Sequence, residues 1–496
     1  MLFSAWKADT LINAQFSLRN KPENYGTIWN SMFLPMKRKP NILFILADDM
    51  GYGDFSFFND NLSETPVLET IYNEGICLTQ HYSASPVCSP ARACLLTGRY
   101  PHRTGCIDTL HMNGLDRLAA DETTIADILK NNGYVTGLIG KWHLGAIEEQ
   151  YHPNRRGFDE FVGFRGGWQD YYRWHISYND KLVKSDGRYL TDVFTDEAVS
   201  FINRHCKEPF FLHVTYNAPH LPLQVPEEEL QIFLEKPGLC KGAAYIYAMI
   251  RRMDRGIGRI LEQLRKSGIE NETIVFFTSD NGPQFSGGEI SMARYNMNFR
   301  GCKGHVYEGG IRVPMLIRWP GVIETGKIIN DMIHFVDWLP TILDICGIKI
   351  PSGIKKLDGE SVLPVLKGRK IEQHKRFWQW NRLYPVRTSN IAMRDGKWKL
   401  VRPLIPETKV VPREFIEADR AYTYHPEQFS DILHADFPAF RFGENPPQLF
   451  NLEDDPLEKN DISSKHPDIV EKMDRETDKW FEEVEKERKS RQLQKN

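Results

Sequence analysis

The sequence contains no long apolar run and no excess of basic residues. Its longest uninterrupted apolar stretches, such as Ile42 to Ala47, are far shorter than the roughly 18 residues that a membrane-spanning helix requires. Lys and Arg number 63 against 66 Asp and Glu, which gives a formal net charge of -3. Because a polyanion is held by a surplus of positive charge, we expect neither a nucleic acid nor a membrane as a partner.

Cysteine is sparse, and the motifs of several common enzyme classes are missing. Eight cysteines among 496 residues are too few for a disulfide scaffold, and no Cys-x-x-Cys pair suggests a zinc or redox site. Without a Walker A, Gly-x-Ser-x-Gly or His-Glu-x-x-His motif, nothing supports an ATPase, a serine hydrolase or a zinc protease. The N-terminus shows no basic segment followed by an apolar one, so we expect a cytoplasmic protein without a secretory signal.

The composition indicates a globular protein with room for two domains. Hydrophobic residues make up 41% of the chain, and its length exceeds that of most single domains. A structured domain would naturally begin near Met36, and a stretch rich in Gly, Lys and Pro spans residues 350–375. We therefore predict an N-terminal extension over residues 1–39, a large domain over residues 40–370, and a smaller domain over residues 371–496 that ends in a helix.

From residue 40 onward, short apolar runs alternate with helical periodicity, which predicts an α/β fold with a large, mostly parallel sheet between helices. The predicted strands are residues 41–47, 134–140, 209–216 and 273–277, and the clearest helix covers residues 245–265. Residues 398–401 and 448–452 predict short strands of the smaller domain, and residues 466–490 predict a helix that packs on it. Polar residues follow each strand of the large domain, at the edge where α/β sheets bind ligands.

The most specific motif is Cys-Ser-Pro-Ala-Arg-Ala-Cys-Leu-Leu-Thr-Gly-Arg at residues 88–99. Its core of Cys88, Pro90 and Arg92 resembles the signature of type I sulfatases, in which this cysteine is oxidised to formylglycine. Alone, the motif would also fit a helix with proline in its first turn. Six segments similar to the family, in the family's order between residues 42 and 314, make coincidence a poor explanation.

The resemblance covers nearly everything after residue 39. It implies an alkaline-phosphatase-like α/β fold with a large mixed sheet, a catalytic domain over residues 40–370, and a C-terminal α+β domain with an antiparallel sheet. It also implies a sulfatase that hydrolyses a small-molecule or oligosaccharide sulfate ester, and a maturation enzyme that generates formylglycine from Cys88.

The resemblance further implies one metal site. Its ligands would be Asp48, Asp49, Asp280 and Asn281, together with an oxygen of modified Cys88. Adjacent carboxylates repel each other unless a cation lies between them. An anionic, all-oxygen site without clustered His or Cys favours calcium over zinc, with magnesium as an alternative.

The remaining residues that match the family are Arg92, Lys141, His143, His220 and Lys303. Hydrolysis of an anionic ester needs positive charge around the sulfuryl oxygens, and Lys141, His220 and Lys303 are the implied sulfate-binding residues. One hydroxyl of hydrated formylglycine would attack sulfur while Arg92 holds that side chain. His143 would then assist collapse of the sulfated intermediate, and His220 would protonate the leaving oxygen.

Two other functions stay open at this point. A formylglycine-dependent phosphonate or phosphate ester hydrolase would share most of these residues, and an unmodified protein could bind sulfated glycans without catalysis. Among sulfatase substrates we favour a carbohydrate, because aromatic and polar residues cluster at residues 166–175 and 377–382. These clusters could stack on sugar rings, with Arg173, His175 or Arg382 binding polar groups. Equally, they could be buried aromatics of a domain interface.

Overall fold

The computed structural model describes residues 38–287, 290–434, 437 and 442–493. The predicted extension over residues 1–39 therefore lies almost wholly outside the described residues. The described residues from Arg38 onward form one compact unit. The boundary between residues 370 and 371 stays a prediction.

Ten strands among the described residues form the main sheet. They are β1 (Asn41–Ala47), β2 (Ile76–Leu78), β4 (Val135–Lys141), β5 (Glu160–Phe164), β6 (His175–Tyr178), β7 (Lys181–Lys184), β8 (Phe210–Thr215), β9 (Thr273–Ser279), β12 (Met315–Arg318) and β13 (Lys327–Ile329). Their order is β13-β2-β12-β9-β1-β8-β4-β5-β6-β7. The five strands from β9 to β5 run parallel, whereas β12, β6 and β7 pair antiparallel with their neighbours.

Helices cover both faces of the main sheet. The α-helices of the described residues are α1 (Pro66–Glu74), α2 (Cys88–Thr97), α3 (Pro101–Thr104), α4 (Ile125–Asn131), α5 (Leu190–His205), α6 (Glu227–Leu234), α7 (Lys241–Lys266), α8 (Glu308–Ile311), α9 (Trp338–Ile345), α10 (Leu363–Leu366), α11 (Arg413–Tyr424) and α12 (Pro467–Leu493). Alternate residues of β1 enter two separate cores: Phe44 packs in the core that contains Leu339 of α9, and Ile45 in the core that contains Ile250 of α7. A strand buried on both faces must be apolar throughout, which explains the continuous apolar run of β1.

Four further strands form the small sheet, which is antiparallel. In order across the sheet they are β15 (Arg376–Gln379), β16 (Ile391–Asp395), β17 (Trp398–Arg402) and β18 (Gln448–Asn451). The remaining strands are short pairs: β3 (His81–Tyr82) with β14 (Ile333–His334), and β10 (Ser286–Gly287) with β11 (Ile290–Ser291). The large mixed sheet between helices and the separate antiparallel sheet confirm the predicted fold class.

The last helix packs more widely than the sequence indicated. Met473 of α12 lies with Met393, Leu400 and Leu449 of the small sheet, as expected. Trp480, Phe481 and Val484 instead join the core on one face of the main sheet. Among the described residues, no helix has both the length and the apolar composition that a membrane crossing requires.

Candidate active site

The candidate site lies where four neighbouring parallel strands end. Because β9, β1, β8 and β4 are adjacent in the main sheet, the residues that follow them meet at one edge. Asp280 follows β9, Asp48 follows β1, His220 follows β8 and Lys141 is the last residue of β4. Cys88 is the first residue of α2, and its Sγ and carboxylate oxygens of Asp48 and Asp280 lie within 4.8 Å of one another.

Oxygen atoms at this edge are arranged for a cation. Asp48 Oδ1 and Asn281 Oδ1 are buried and have no hydrogen-bond partner among the described residues. The amide of Asn281 is oriented by its Nδ2, which donates to Asp49 Oδ1 over 2.7 Å. Asp49 itself has a φ of 65°, and its backbone N–H donates to Asp280 Oδ1 over 3.2 Å. Unpartnered buried oxygens of a carboxylate and an amide fit an oxygen-ligated divalent cation.

One part of the sequence argument for calcium was wrong. That argument assumed that no His or Cys clusters with the carboxylates. The structure places His220 Nε2 3.7 Å from Asp49 Oδ2, and Cys88 lies beside Asp48 and Asp280. These residues follow other strands and helices, so their proximity depends on the order of the sheet and not on sequence spacing.

Each carboxylate of the site faces a cationic side chain. Lys141 Nζ lies 2.6 Å from Asp48 Oδ2, and Lys303 Nζ lies 2.7 Å from Asp49 Oδ2. Arg92 binds Asp280 Oδ2 through Nη2 at 2.7 Å and through Nε at 2.9 Å. The two lysines predicted to bind sulfate are thus held against the predicted metal ligands.

The pKa values of Asp48 and Asp280 are shifted in opposite directions because the two carboxylates have different charged neighbours. Burial raises the pKa of Asp48, but Lys141 and the other nearby cations outweigh it and bring this pKa well below its usual range. Burial and the negative charge of Asp48 raise the pKa of Asp280 to about 7. A second cationic group near Asp280 would relieve this repulsion, which again fits a bound cation.

The unmodified thiol of Cys88 is poorly suited to direct attack. Burial raises the pKa of its thiol, and the opposing effect of Lys141 and Lys303 does not cancel this increase. A neutral thiol is a poor nucleophile. Arg92 lies one helical turn after Cys88 and donates to the carbonyl oxygen of Lys141 over 3.0 Å, so α2 fixes both residues relative to β4.

The two histidines are held by backbone carbonyl groups. His143 has Nε2 3.0 Å from the carbonyl oxygen of Thr109, while its buried Nδ1 has no hydrogen-bond partner in the part of the chain that the structure describes. His220 has Nδ1 2.8 Å from the carbonyl oxygen of Leu221, which leaves Nε2 facing Asp49. Burial lowers the pKa of both, aided by Lys141 for His143 and by Lys303 for His220, whose pKa falls to about 4. His220 must therefore gain a proton before it can act as an acid.

The site opens into a cavity of about 640 Å³ that is lined by Cys88, His143, His220 and Lys303. Within the two aromatic clusters noted in the sequence, the side chains that line this cavity are Trp168, Trp380 and Arg382. His175 lines a smaller adjoining depression, and Arg173 is exposed beside Asp170. Trp174 and Trp378 are buried and do not line the cavity, so the structure divides each cluster between cavity and core.

Sequence reasoning missed several residues of the cavity wall, among them His111, Gln284 and Lys409. None of these three residues lies within a recognisable motif: His111 is in a short 3-10 turn, Gln284 comes after the Asp-Asn-Gly turn, and Lys409 comes after the third strand of the small sheet. Nothing in the spacing of these residues separates them from ordinary surface side chains.

Comparisons with known proteins identify the family of this chain. The family model described as Sulfatase matches residues 40–348, and the model described as N-sulphoglucosamine sulphohydrolase, C-terminal, matches residues 302–409. The chain is 31% identical over 490 residues to the uncharacterized sulfatase YdeN of Escherichia coli K12, covering 88% of this chain and 84% of that protein. It is 33% identical over 388 residues to human N-acetylgalactosamine-6-sulfatase, covering 69% of this chain and 72% of that protein.

A solved structure is similar over most of the chain. The crystal structure of Ps i-CgsB superposes with a TM-score of 0.75 at 31% identity and covers 89% of this chain and 93% of that one. Ps i-CgsB has also been solved in complex with k-i-k-neocarrahexaose. The chain belongs to the sulfatase family and is a sulfuric ester hydrolase with the alkaline-phosphatase-like fold.

Proposed function

We propose that this enzyme hydrolyses a sulfate monoester of a carbohydrate and that its nucleophile is formylglycine made from Cys88. The observation that carries the proposal is the position of Cys88. It starts a buried helix among the site's carboxylates and also lines a cavity of about 640 Å³, a volume typical of sites for small ligands. In hydrated form, formylglycine would supply the hydroxyl that attacks sulfur.

The chain's own charges account for selection of an anionic ester. Arg92, Lys141 and Lys303 balance the three carboxylates that they contact. A divalent cation, which we propose to be calcium, would be held by Asp48, Asp49, Asp280, Asn281 and an oxygen of modified Cys88, and would add positive charge there. The site would then carry a net positive charge, which a sulfate monoester neutralises.

The histidines are proposed to move the protons. His143 has a buried Nδ1 without a partner, so it can accept a proton from a hydroxyl of the modified side chain. His220 presents Nε2 on the cavity side, and its low pKa rises when an anion binds nearby, so it can then donate to the leaving oxygen. Lys303, which lines the same cavity, is proposed to contact a sulfuryl oxygen.

A carbohydrate is favoured by the cavity's mixed lining. Trp168 offers a half-buried aromatic surface, and Arg382, Gln284 and Asp419 offer polar groups for hydroxyls. Ps i-CgsB, which is similar over most of the chain, has been solved with an oligosaccharide. Because Cys88 is only 2% exposed, a maturation enzyme would have to reach it before the chain folds.

Mass spectrometry of the peptide that contains Cys88 tests the nucleophile. We expect formylglycine in protein made with a maturation enzyme, and no turnover of sulfated galactosides by Cys88→Ala or by protein made without that enzyme. Cys106 is a second buried cysteine outside the cavity lining, so Cys106→Ala is the matched control and should remain active. An unmodified thiol at Cys88 in fully active protein would refute the proposal.

A further inference from the structure

One part of the cavity wall is basic. We call it the basic wall, and it consists of Arg382, Lys409 and Arg420. Arg382 follows the first strand of the small sheet, Lys409 ends a short 3-10 turn, and Arg420 lies on α11. None of these residues belongs to the sulfatase motifs, and none of them contacts the carboxylates at the strand ends.

Lys409 is a half-buried cation without a counter-ion among the described residues. Its Nζ lies 6.0 Å from the centre of the Trp380 ring and would be 3.1 Å from a Cβ atom built on Gly304. Burial lowers the pKa of Lys409, and Arg382 lowers it further against a smaller opposing effect of Cys302. A partly dehydrated ammonium group without a counter-ion is unfavourable unless an anion binds to it.

Arg382 is fixed in place next to Lys409. Its Nη1 donates to Asp108 Oδ1 over 3.0 Å and to Thr109 Oγ1 over 2.5 Å, and its guanidinium lies 5.2 Å from the centre of the Trp380 ring. Asp108 is held in turn by Trp380 Nε1 and by the backbone N–H of Leu383. A guanidinium anchored through one nitrogen keeps other N–H groups available to a ligand.

Among the described residues, the acidic side chains near the basic wall pair with Arg382 and His111 and not with Lys409 or Arg420. Asp419 lines the cavity, but it accepts a hydrogen bond from the backbone N–H of Met112 and lies 3.3 Å from His111 Nδ1. Burial raises the pKa of Asp419 to about 7, so it carries only part of a negative charge at neutral pH. Arg420 is exposed, and no ion pair holds it within the part of the chain that the structure describes.

The basic wall adjoins the catalytic residues. Gly304, which Lys409 approaches, follows Lys303 directly, and its backbone N–H donates to the carbonyl oxygen of Pro86, two residues before Cys88. Lys409 thus lines the same cavity as Cys88 and lies next to the segment that carries Lys303.

We infer that the substrate carries a second anionic group besides the sulfate that is cleaved, and that Lys409 and Arg382 bind this group. The inference rests on the proposed function, because it assumes a sulfate ester at Cys88. A sulfate ester and a carboxylate have the same recognition chemistry, namely oxygen atoms that accept charge-assisted hydrogen bonds. A neutral sugar with one sulfate would leave the charge of Lys409 unbalanced.

Kinetics of Lys409→Met test the inference, because methionine keeps much of the side chain's volume and removes its charge. The substrates are singly sulfated methyl galactosides, doubly sulfated methyl galactosides, and a singly sulfated galactoside linked to a uronic acid. We expect the wild type to prefer one of the doubly charged classes. The ratio of kcat/KM for that class to kcat/KM for the singly charged one should fall about tenfold or more in Lys409→Met.

Lys349→Met is the matched control, since Lys349 is exposed and lies outside the cavity, and its ratio should equal that of the wild type. The doubly charged class whose ratio falls identifies the second anion as a sulfate or a carboxylate. A wild type without preference, or an unchanged ratio in Lys409→Met, would overturn the inference.

Calorimetry separates this inference from the proposed function. Cys88→Ala protein cannot form formylglycine, so it binds the same galactosides without cleaving them. Introducing Lys409→Met into this background should weaken binding of the preferred doubly charged sugar about tenfold and reduce its salt dependence. If the wild type cleaves no sulfate ester, the proposed function fails, whereas equal binding with and without Lys409→Met refutes the role of the basic wall.

Discussion

Lys399 is a fully buried lysine that joins the small sheet to the helix beside the active site, and its replacement by methionine tests how that helix is held. Lys399 lies on β17, and its Nζ is 2.8 Å from carboxylate oxygens of both Glu308 and Glu458. Glu308 begins α8, and its backbone N–H donates to Glu458 Oε2 over 2.7 Å. Lys399 thus contacts two buried carboxylates, and Glu308 has a second cation nearby, because Arg312 Nη1 lies 3.4 Å from its Oε2.

The consequences extend to the predicted metal ligands. The carbonyl oxygen of Gly310 in α8 accepts a hydrogen bond of 2.9 Å from the backbone N–H of Gly282, the residue after Asn281. A Cβ atom on Gly282 would lie 1.9 Å from the carbonyl oxygen of Gly309, so no side chain fits between the two segments. A shift of α8 would therefore displace Asn281.

The contacts set the size of the expected effect. Burial raises the pKa of Glu308, but Lys399, Arg312 and Arg394 outweigh it and lower this pKa to about 2. Burial raises the pKa of Glu458 to about 7 despite the opposing effect of Lys399. Removing one partner of a buried ion pair costs about 3–5 kcal/mol, so Lys399→Met should lose a large part of a typical stability of about 5–15 kcal/mol.

The loss should depend on pH in a definite direction. A carboxyl group whose pKa is higher in the folded than in the unfolded protein stabilises the fold fully below its unfolded pKa. It loses this contribution as the pH rises through its folded pKa. For Glu458 this window runs from its ordinary value of 4.5 to about 7, and without Lys399 it extends upward. Protonated Glu458 needs no counter-ion, so Lys399→Met should lose less stability near pH 5 than near pH 8.

Urea unfolding of the wild type, Lys399→Met and the exposed control Lys349→Met measures these differences at both pH values. Adding Glu458→Gln to Lys399→Met should recover part of the lost free energy of unfolding at the higher pH, because it removes the unbalanced carboxylate. A loss at pH 8 below about 1 kcal/mol, the level of a surface ion pair, would refute the reasoning. So would an equal loss at both pH values.

Two further predictions concern the active site. Chelation of the divalent cation should abolish turnover and lower the melting temperature, because Asp48, Asp49 and Asp280 would lose a shared counter-charge. Scanning calorimetry with and without added calcium checks this, and two bound zinc ions by elemental analysis would contradict it. Lys303→Ala should slow all sulfate esters, whereas His220→Ala should slow a sugar sulfate about a hundredfold more than an aryl sulfate whose phenolate leaves without a proton. Equal slowing of both esters by His220→Ala, measured as kcat/KM, would exclude its role as the acid.

The sequence alone predicted the helices and strands that have a clear local pattern of apolar residues. The apolar run from Asn41 to Ala47 was predicted as a strand and forms β1 with those ends, because a strand buried on both faces has no polar position until it leaves the sheet. The periodic helix predicted over residues 245–265 runs from Lys241 to Lys266, since its apolar stripe faces the core along its whole length. Residues at the carboxyl ends of adjacent parallel strands meet at one edge of the sheet. The sequence therefore predicts that Asp48, Lys141 and Asp280 lie near one another, and they do.

The tertiary structure decided which side chains face each other. Lys141 binds Asp48, 93 residues away in sequence, and Lys303 binds Asp49, 254 residues away. Such contacts depend on the order of strands in the sheet and on the paths of long loops. Neither of these can be read from the periodicity of the sequence. The same holds for Lys409, whose place beside Gly304 arises only when the small sheet packs against the main one. The periodicity of a segment predicts which face of that helix or strand is buried. Which distant side chains it contacts depends on how the elements pack in the tertiary structure.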